Sequence, residues 1–289
     1  MTIGIIANLE KDTVNKIVPD FLSWLKKRGV EFFVEEGLAR QLNSGDGEPA
    51  HLASTDLCDR CQMIISFGGD GTILSTARLV GRSGIPILGV KIGGMGFLAE
   101  TTPDELYATM EEILKDRFNI VERMVLEAKV DLDHEDRYYA LNDFVFDKGA
   151  VSRVIRIKTF IDEELLNTYI GDGLIISTPT GSTAYSLAAN GPILLPSMEA
   201  IIINPISPHT LSARPVVIPG DRRVRVEMVT APQEVMLSAD GQGSASLSSG
   251  QSVSIQKADY RIKLVTYGGR TFYDVLHAKL NWGEDIRKD

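Results

Sequence analysis

Residues 68–72 form a turn whose composition suits phosphate chemistry. They read Gly-Gly-Asp-Gly-Thr, between a predicted buried strand at 63–67 and a predicted helix at 73–80. Glycine lets the backbone approach a ligand closely, and the N–H groups of such a turn, together with the helix N-terminus behind it, bind phosphate oxygens. The predicted phosphate loop comprises Gly68, Gly69, Gly71 and Thr72.

Asp70 is an unexpected residue in an anion-binding turn, because its carboxylate would repel a phosphate. An acid at this position is explained if it takes a proton from an attacking hydroxyl or if it holds a metal ion. The sequence does not separate these two roles. The purely structural alternative is a glycine-rich turn in which Asp70 caps the helix.

A second candidate segment is rich in hydroxyl groups. Gly171-Asp172-Gly173 precedes a short predicted strand at 174–177, and residues 177–186 then contain six Ser or Thr residues and one tyrosine. Hydroxyls donate and accept hydrogen bonds, as ribose, phosphate and base edges require, and Tyr185 offers a flat ring to a nucleobase. The structural alternatives are a helix N-terminus with spare capping residues and a core position for Tyr185.

A second glycine-rich stretch, at residues 93–99, resembles a dinucleotide-binding fingerprint only loosely. Gly94, Gly96 and Ala99 fit the pattern, but the next helix is predicted to open later, at Thr102. We therefore expect a structural or substrate-lining loop.

Three further features favour no specific chemistry. Cys58 and Cys61 form a C-x-x-C pair with too few neighbouring ligands for zinc, and we expect ordinary reduced thiols. His209 is expected to be structural rather than a catalytic base. The Walker-type phosphate loop is absent from the sequence, which excludes a standard Walker-type ATPase.

Strand and helix patterns alternate over residues 1–120. Apolar runs predict strands at 3–7, 31–34, 63–67 and 85–90. Helical periodicity covers 14–28 and 73–80, and a capping box predicts a helix start at Thr102, Pro103 and Glu105. This alternation predicts an α/β domain, Rossmann-like, with a parallel sheet.

Strand patterns follow one another in residues 121–265. Predicted strands lie at 124–132, 138–146, 154–161, 174–177, 224–229, 253–255 and 261–265. The succession predicts an all-β second domain. Residues 273–279 are again helical in pattern, and the segment 266–289 is expected to pack back on the first domain.

Composition and charge narrow the function further. Thirty basic against 39 acidic residues give a net charge of −9, which disfavours nucleic acid as a partner. No signal peptide, transit peptide or long apolar span is evident, so we expect a cytoplasmic protein that does not enter a membrane. Two cysteines in 289 residues fit a reducing compartment.

Four motifs together make the sequence resemble the NAD kinase family. They are residues 68–72, the pair Asn142-Asp143, the segment 171–186, and Pro-His-Thr-Leu-Ser-Ala-Arg-Pro at 208–215. The first is shared with phosphofructokinases and with diacylglycerol and sphingosine kinases, whereas the third is far more specific. The resemblance implies phosphoryl transfer to the 2′-hydroxyl of the adenosine ribose of NAD, giving NADP. It also implies a site between the two domains and a homo-oligomer, either a dimer or a tetramer.

The resemblance implies roles for individual residues. Asp70 falls on the proton acceptor. The implied NAD-binding residues are Asp70, Gly71, Asn142, Asp143, Arg153, Asp172, Thr183, Ala184, Tyr185, Ser186, Leu187, Ala188 and Gln242. The phosphoryl donor is expected to be ATP or polyphosphate. A divalent cation, expected to be Mg²⁺, would neutralise the meeting anions, and the sequence identifies no dedicated protein ligand for it.

Three residues depart from the family pattern. Asp143 stands where glutamate is usual, Ile170 where many bacterial relatives have arginine, and Asn190 where glycine is common. Asn190 tolerates the left-handed conformation, so the turn is expected to persist.

Two rival functions stay open at this point. One is a kinase of a lipid or sugar hydroxyl that shares only the turn at 68–72. The other is a regulator that binds NAD or NADP without catalysis.

Overall fold

The structure, a computed structural model, describes residues 1–42, 51–94, 96–99, 101–130, 136–149, 154–229 and 235–282. The chain divides into two units. Unit 1 contains Met1–Glu122 and Ile262–Asp289, and unit 2 contains Arg123–Arg261.

The first stretch of unit 1 alternates strands with helices, as the sequence predicts. Its strands are β1 (Thr2–Ala7), β2 (Glu31–Glu35), β3 (His51–Leu52), β4 (Met63–Gly68) and β5 (Ile87–Lys91). Its helices are α1 (Val14–Lys27), α2 (Glu36–Gln41), α3 (Ser54–Arg60), α4 (Asp70–Val80) and α5 (Leu106–Ile113), with a 3₁₀ turn at Gly81–Ser83.

The remaining elements are mostly strands. They are β6 (Asn119–Val130), β7 (Asp136–Ala140), β8 (Asp143–Asp147), β9 (Ile155–Ile161), β10 (Glu164–Gly171), β11 (Gly173–Ser177), β12 (Ala200–Ile206), β13 (Val216–Pro219), β14 (Val224–Met228), β15 (Val235–Ala239), β16 (Gln242–Leu247) and β17 (Ser252–Thr266). A 3₁₀ turn at Thr180–Thr183 leads into the short helix α6 (Tyr185–Ala188), and α7 (Phe272–Leu280) follows β17.

The sheet of unit 1 is parallel at every pairing among its described strands, in the order β17–β5–β4–β1–β2–β3. The chain leaves β1 towards β2 on one side and leaves β4 towards β5 on the other. The carboxyl ends of β1 and β4 therefore flank a topological switch point, where open α/β sheets bind their ligands.

Helix α1 covers this sheet through one apolar stripe. Val14, Val18, Phe21 and Leu25 are fully buried, and they recur at the 3.6-residue period of a helix. They belong to one core cluster with strand residues such as Ile5 and with α5.

Unit 2 contains two antiparallel sets of strands. One has the order β10–β9–β14–β17, with β6 paired to β17 and β7, and the other has the order β13–β12–β11–β8–β15–β16. Alternate residues of both sets, including Phe144 and Phe146 of β8 and Val224 and Val226 of β14, form one buried cluster. This pattern is that of a β-sandwich core.

Several predicted elements differ in the structure. The strand predicted at 138–146 is broken at Leu141-Asn142 into β7 and β8, which belong to different sheets. The strands predicted at 253–255 and 261–265 are parts of one strand, β17, because the polar residues between them hide the continuity. Helix α5 begins only at Leu106: the Glu105 carboxylate accepts from the N–H and hydroxyl of Thr102, but the intervening residues form a turn.

Candidate active site

Asp70 is the first residue of α4, directly beyond the carboxyl end of β4. Gly69 is the N-cap residue of this helix. A Cβ on Gly68 would collide with the side chain of Thr72, so the chain can turn this tightly only with glycine there. The strand–turn–helix context predicted for residues 63–80 is therefore confirmed, and it places Asp70 beside the switch point of the sheet.

Residues 96–98 hold the Asp70 carboxylate. The backbone N–H of Phe97 donates to Oδ2 at 2.8 Å, and the N–H of Leu98 donates to Oδ1 at 3.0 Å. A Cβ on Gly96 would overlap the same carboxylate. The second glycine-rich stretch is therefore a structural loop that fixes the acid, rather than a dinucleotide fingerprint.

Lys279 of α7 brings a positive charge to Asp70. Its Nζ lies 4.0 Å from Asp70 Oδ2 and 4.3 Å from the centroid of the Phe97 ring. The Asp70 side chain is 30% exposed and that of Lys279 is 33% exposed. Both groups are therefore anchored on one side and open to solvent on the other.

The predicted phosphate loop has room for a ligand beside its backbone. A Cβ built on Gly69 or on Gly71 would meet nothing within 4 Å, and the same holds for Gly93 and Gly94. Open backbone at a helix N-terminus is the arrangement that binds phosphate oxygens. In unit 1, the structure thus brings together a fixed acid, a cation and an accessible glycine-rich backbone.

In unit 2, Asn142 lies at the break between β7 and β8. The Asp240 carboxylate accepts from the N–H groups of Leu141 at 2.9 Å, Asn142 at 2.7 Å and Asp143 at 3.1 Å. Within the described residues, the side-chain amide of Asn142 has no protein hydrogen-bond partner, which leaves it available to a ligand.

Asp143 is a buried acid at the start of β8. The residue is 4% exposed. Burial and then the negative charge of Asp240 raise the pKa of Asp143 to about 7. Its carboxyl group can therefore gain or lose a proton near neutral pH.

Most of the hydroxyl cluster is internal, which corrects its interpretation as a set of ligand contacts. Three of these residues are buried: Ser177, Thr178 and Ser182. The Ser177 hydroxyl donates to the backbone carbonyls of Asn142 and Thr178. The Thr178 hydroxyl donates to the carbonyl of Leu141, and the Ser182 hydroxyl donates to that of Pro179. Their hydroxyls hold the segment against the β7–β8 break. These hydroxyls are therefore not spare capping groups of a helix. They hold the backbone of residues 177–183 in place by hydrogen bonds.

The end of the cluster carries the exposed groups. Tyr185 is 48% exposed, so the core position considered for this ring is wrong. Thr183 is half-buried and donates to the carbonyl of Thr180 at 3.2 Å. Ala184, Leu187 and Ala188 continue this partly exposed surface.

Asn204 of β12 holds α6 in place through hydrogen bonds from its side-chain amide. It is fully buried, and its Nδ2 donates to the carbonyl of Ser186 at 2.9 Å, to Ser186 Oγ at 3.2 Å and to the carbonyl of Ala189 at 3.3 Å. Ser186 is itself fully buried, so its hydroxyl is turned to the protein. Asn190 has a φ of 61°, which confirms the expected left-handed turn.

Asp172 lies at the bend between β10 and β11. Lys148 Nζ donates to its carboxylate at 2.6 Å, and this hydrogen bond holds the pKa of Asp172 below its ordinary value. Ser207 and His209 act in the same direction. His209 is exposed and donates its backbone N–H to the carbonyl of Ile170 at 2.8 Å, so its side chain is not a core group.

The structure gives less information about the other residues predicted from the sequence. Arg153 lies outside the described residues. Gln242 is half-buried and begins β16, two residues after Asp240. Cys58 and Cys61 are free thiols, as expected, and burial raises the pKa of Cys61 to about 11. Over the described ranges, no three His, Cys, Asp or Glu side chains cluster as a metal site, and none of the helices is long and apolar enough to cross a membrane.

Sequence reasoning missed three residues of these sites: Lys279, Asp240 and Asn204. Each lies far along the chain from the group that it contacts. The turn residues Asp240-Gly241 and the asparagine within the apolar run at 200–206 were visible as polar interruptions, but nothing in the sequence indicates their partners.

Two family models match the chain in the order of its units. The one described as the ATP-NAD kinase N-terminal domain matches residues 3–118, and the one described as the ATP-NAD kinase C-terminal domain matches residues 141–267.

Named relatives are similar over nearly the whole length. An NAD kinase of Syntrophotalea carbinolica is 41% identical over 284 residues, which cover 98% of this chain and 99% of the relative. An NAD kinase of Geobacter sulfurreducens is 42% identical over 284 residues with the same coverage.

Solved structures show the same fold. Yeast NADH kinase complexed with NADH superposes with a TM-score of 0.92 at 25% identity, covering 100% of this chain and 90% of that one. An NAD kinase from Archaeoglobus fulgidus in complex with ATP superposes with a TM-score of 0.78 at 23% identity, covering 97% and 99%.

Proposed function

The chain belongs to the NAD kinase family and phosphorylates NAD to NADP, and we propose that Asp70 is the group that accepts the proton of the attacking 2′-hydroxyl. The observation that carries this proposal is the anchoring of the Asp70 carboxylate by the N–H groups of Phe97 and Leu98. The anchored acid stands beside open glycine backbone, where a phosphate can bind.

The chemistry follows from this arrangement. A ribose hydroxyl is a poor nucleophile at neutral pH, and a positioned base accelerates its attack by about 10²–10⁴-fold. Because its two N–H partners fix both carboxylate oxygens, Asp70 is oriented before substrate arrives. Phosphoryl transfer otherwise depends on positioning and on neutralising charge, and the glycine N–H groups supply part of that neutralisation.

The donor and the metal belong to the same proposal. ATP is supported as donor by the ATP held in the Archaeoglobus fulgidus relative, and polyphosphate stays an alternative to be assayed beside it. Mg²⁺ would be held mainly by donor phosphate oxygens and water, as this ion commonly is, and Asp70 is the carboxylate of the turn that could contribute to its binding. Bound there, the metal would neutralise charge on the transferred group.

The NAD-binding role is proposed for groups of unit 2. The open amide of Asn142 and the titratable acid Asp143 suit ribose and amide edges, because they offer donors and acceptors at a rigid strand end. Asp172 and the partly exposed residues Thr183, Ala184, Tyr185, Leu187 and Ala188 complete the set, with the Tyr185 ring against the base, while the buried Ser186 holds this stretch in place.

Assembly and location are further parts of the proposal. The family resemblance supports a homo-oligomer, which sedimentation of the purified protein would test. The two free thiols are consistent with the cytoplasm, which cell fractionation would test.

The decisive variant is Asp70→Asn. We expect it to bind NAD and to lose turnover by about 100-fold or more, because an amide cannot accept the hydroxyl proton. Turnover is measured with saturating NAD and ATP in Mg²⁺, and NAD affinity is measured by calorimetry.

Asp12→Asn, at an exposed acid of the same unit, is the matched control and should keep full activity. Asparagine at position 70 keeps one acceptor for Phe97 or Leu98, so melting temperature is recorded to separate unfolding from lost chemistry. Turnover of the Asp70→Asn variant within a few-fold of the wild type would remove Asp70 from this role.

A further inference from the structure

Lys279 has the geometry of an anion-binding residue. Its ammonium group lies 4.0 Å from Asp70 Oδ2, which is an ion-pair distance but too long for a direct hydrogen bond. Its N–H donors are therefore not consumed by Asp70. We propose that Lys279 binds the phosphate chain of the phosphoryl donor, and that it supplies the point charge that the absent Walker-type lysine supplies elsewhere.

The position of Asp70 constrains where the phosphate must be. If Asp70 accepts the proton of the attacking hydroxyl, that oxygen lies roughly 3 Å from the carboxylate, and the reacting phosphorus lies about 3–3.5 Å beyond it. The transferred group then lies within reach of the flexible four-carbon side chain of Lys279. This inference rests on the proposed role of Asp70.

The surroundings of Lys279 favour a ligand that carries negative charge. The Phe97 ring, 4.3 Å from Nζ, supports the side chain on one side, and one-third of it is exposed on the other. The neighbouring glycines 69, 71, 93 and 94 leave space beside the backbone. A lysine in such a place contacts phosphate as a mobile cation.

Helix α7 has stabilising contacts that do not involve the Lys279 ammonium group. Thr271 and Asp274 form a reciprocal capping box at its start, and Leu276 is buried beneath it. Removing the ammonium group is therefore expected to leave the helix in place.

The test compares Lys279→Met, Lys279→Arg and the control Lys26→Met. Lys26 is an exposed lysine in the last turn of α1, so its loss matches the change in charge and in helix-end position. The direct probe is inorganic tripolyphosphate, titrated into the full-length protein by calorimetry at one fixed Mg²⁺ concentration. The KM for ATP and the affinity for NAD are measured on the same proteins.

We expect Lys279→Met to weaken tripolyphosphate binding and to raise the KM for ATP by about 10-fold or more, since a charge-assisted contact is lost. NAD affinity and melting temperature should stay unchanged. Lys279→Arg should restore most tripolyphosphate binding, and Lys26→Met should match the wild type.

Unchanged tripolyphosphate binding in Lys279→Met would overturn the proposal. So would a fall in kcat at saturating ATP, with a displaced pH profile and an unchanged KM, because that result means that Lys279 acts only on Asp70. Tripolyphosphate binding by Asp70→Asn separates the two proposals, since it reports on the phosphate site whether or not Asp70 is the base.

Discussion

Asp143 and Asp240 place two carboxyl groups against one short stretch of backbone. Three N–H groups converge on the Asp240 carboxylate, whereas Asp143 lies buried without such partners among the described residues. Burial and the negative charge of Asp240 raise the pKa of Asp143 to about 7, so Asp143 holds a proton below neutral pH.

The raised pKa of Asp143 predicts that the free energy of unfolding depends on pH. Because the folded pKa of Asp143, about 7, lies above the ordinary value near 3.9, its protonated form stabilises the fold. That contribution is complete below about pH 4 and is lost as pH rises to about 7. Asp143→Asn removes the titration, so relative to the wild type it should gain on the order of 3 kcal/mol between pH 4 and pH 8.

Urea unfolding of both proteins at several pH values measures this difference. Asp136→Asn, at an exposed acid of the same unit, should follow the wild-type curve. Parallel stability profiles for wild type and Asp143→Asn would show that Asp143 does not hold its proton in the folded state.

At the scale of elements, residues 96–98 and the first turn of helix α4 together fix the position of the Asp70 carboxylate. The loop supplies two N–H donors to Asp70, and Gly96 makes the approach possible because any Cβ there would meet the carboxylate. Gly96→Ala should therefore rotate Asp70 away from its donors and lower kcat by about 10-fold or more, while NAD affinity stays near the wild-type value.

Thr55→Ala, at an exposed residue of α3 in the same unit and outside the candidate site, is the control. Steady-state kinetics of the two alanine variants are compared with their melting temperatures. Equal activity of the two variants would mean that the position of Asp70 does not depend on this loop.

The short helix α6 depends on a single side chain of β12. Asn204 supplies three hydrogen bonds to Ser186 and Ala189, and Gly191 packs so closely that a Cβ would reach its Nδ2. Asn204→Ala should cost about 2–3 kcal/mol in unfolding free energy and weaken NAD binding about 10-fold, since buried carbonyls lose their donor and α6 loses its anchor.

Calorimetry at low temperature, where the variant stays folded, measures the NAD affinity. Asn167→Ala, at a half-buried asparagine of β10, controls for the loss of an amide from the same unit. Full NAD affinity in a destabilised Asn204→Ala variant would confine Asn204 to a role in folding.

At the scale of the whole molecule, the sequence predicts the succession of elements better than their partners. Apolar runs located most strands of unit 1, because parallel strands buried on both faces are continuously hydrophobic. The run at 138–146 is predicted as one strand despite the polar Asn142 and Asp143, and the β7–β8 break there is held by hydrogen bonds to Asp240, almost a hundred residues later. No local pattern contains that information.

The candidate site likewise contains residues that the sequence predicts and residues that it does not. Asp70 and its turn were recognisable because glycine spacing and chemistry coincide within five residues. Lys279 was not recognisable from the sequence. It comes close to Asp70 only through the packing of α7, more than two hundred residues downstream.

Unit 1 is assembled from both ends of the sequence, and this has a consequence for synthesis on the ribosome. Translation delivers Arg123–Arg261 before Ile262–Asp289, so unit 2 can begin folding while unit 1 still lacks its last stretch. During that interval Thr101 can bond to the end of β5, but Ile87 lacks the parallel partner that Leu264 of β17 supplies, and this part of the edge stays open to mispairing. Asp70 acquires its neighbouring cation, Lys279, only when α7 emerges, so the turn that carries Asp70 is among the last parts of unit 1 to be completed.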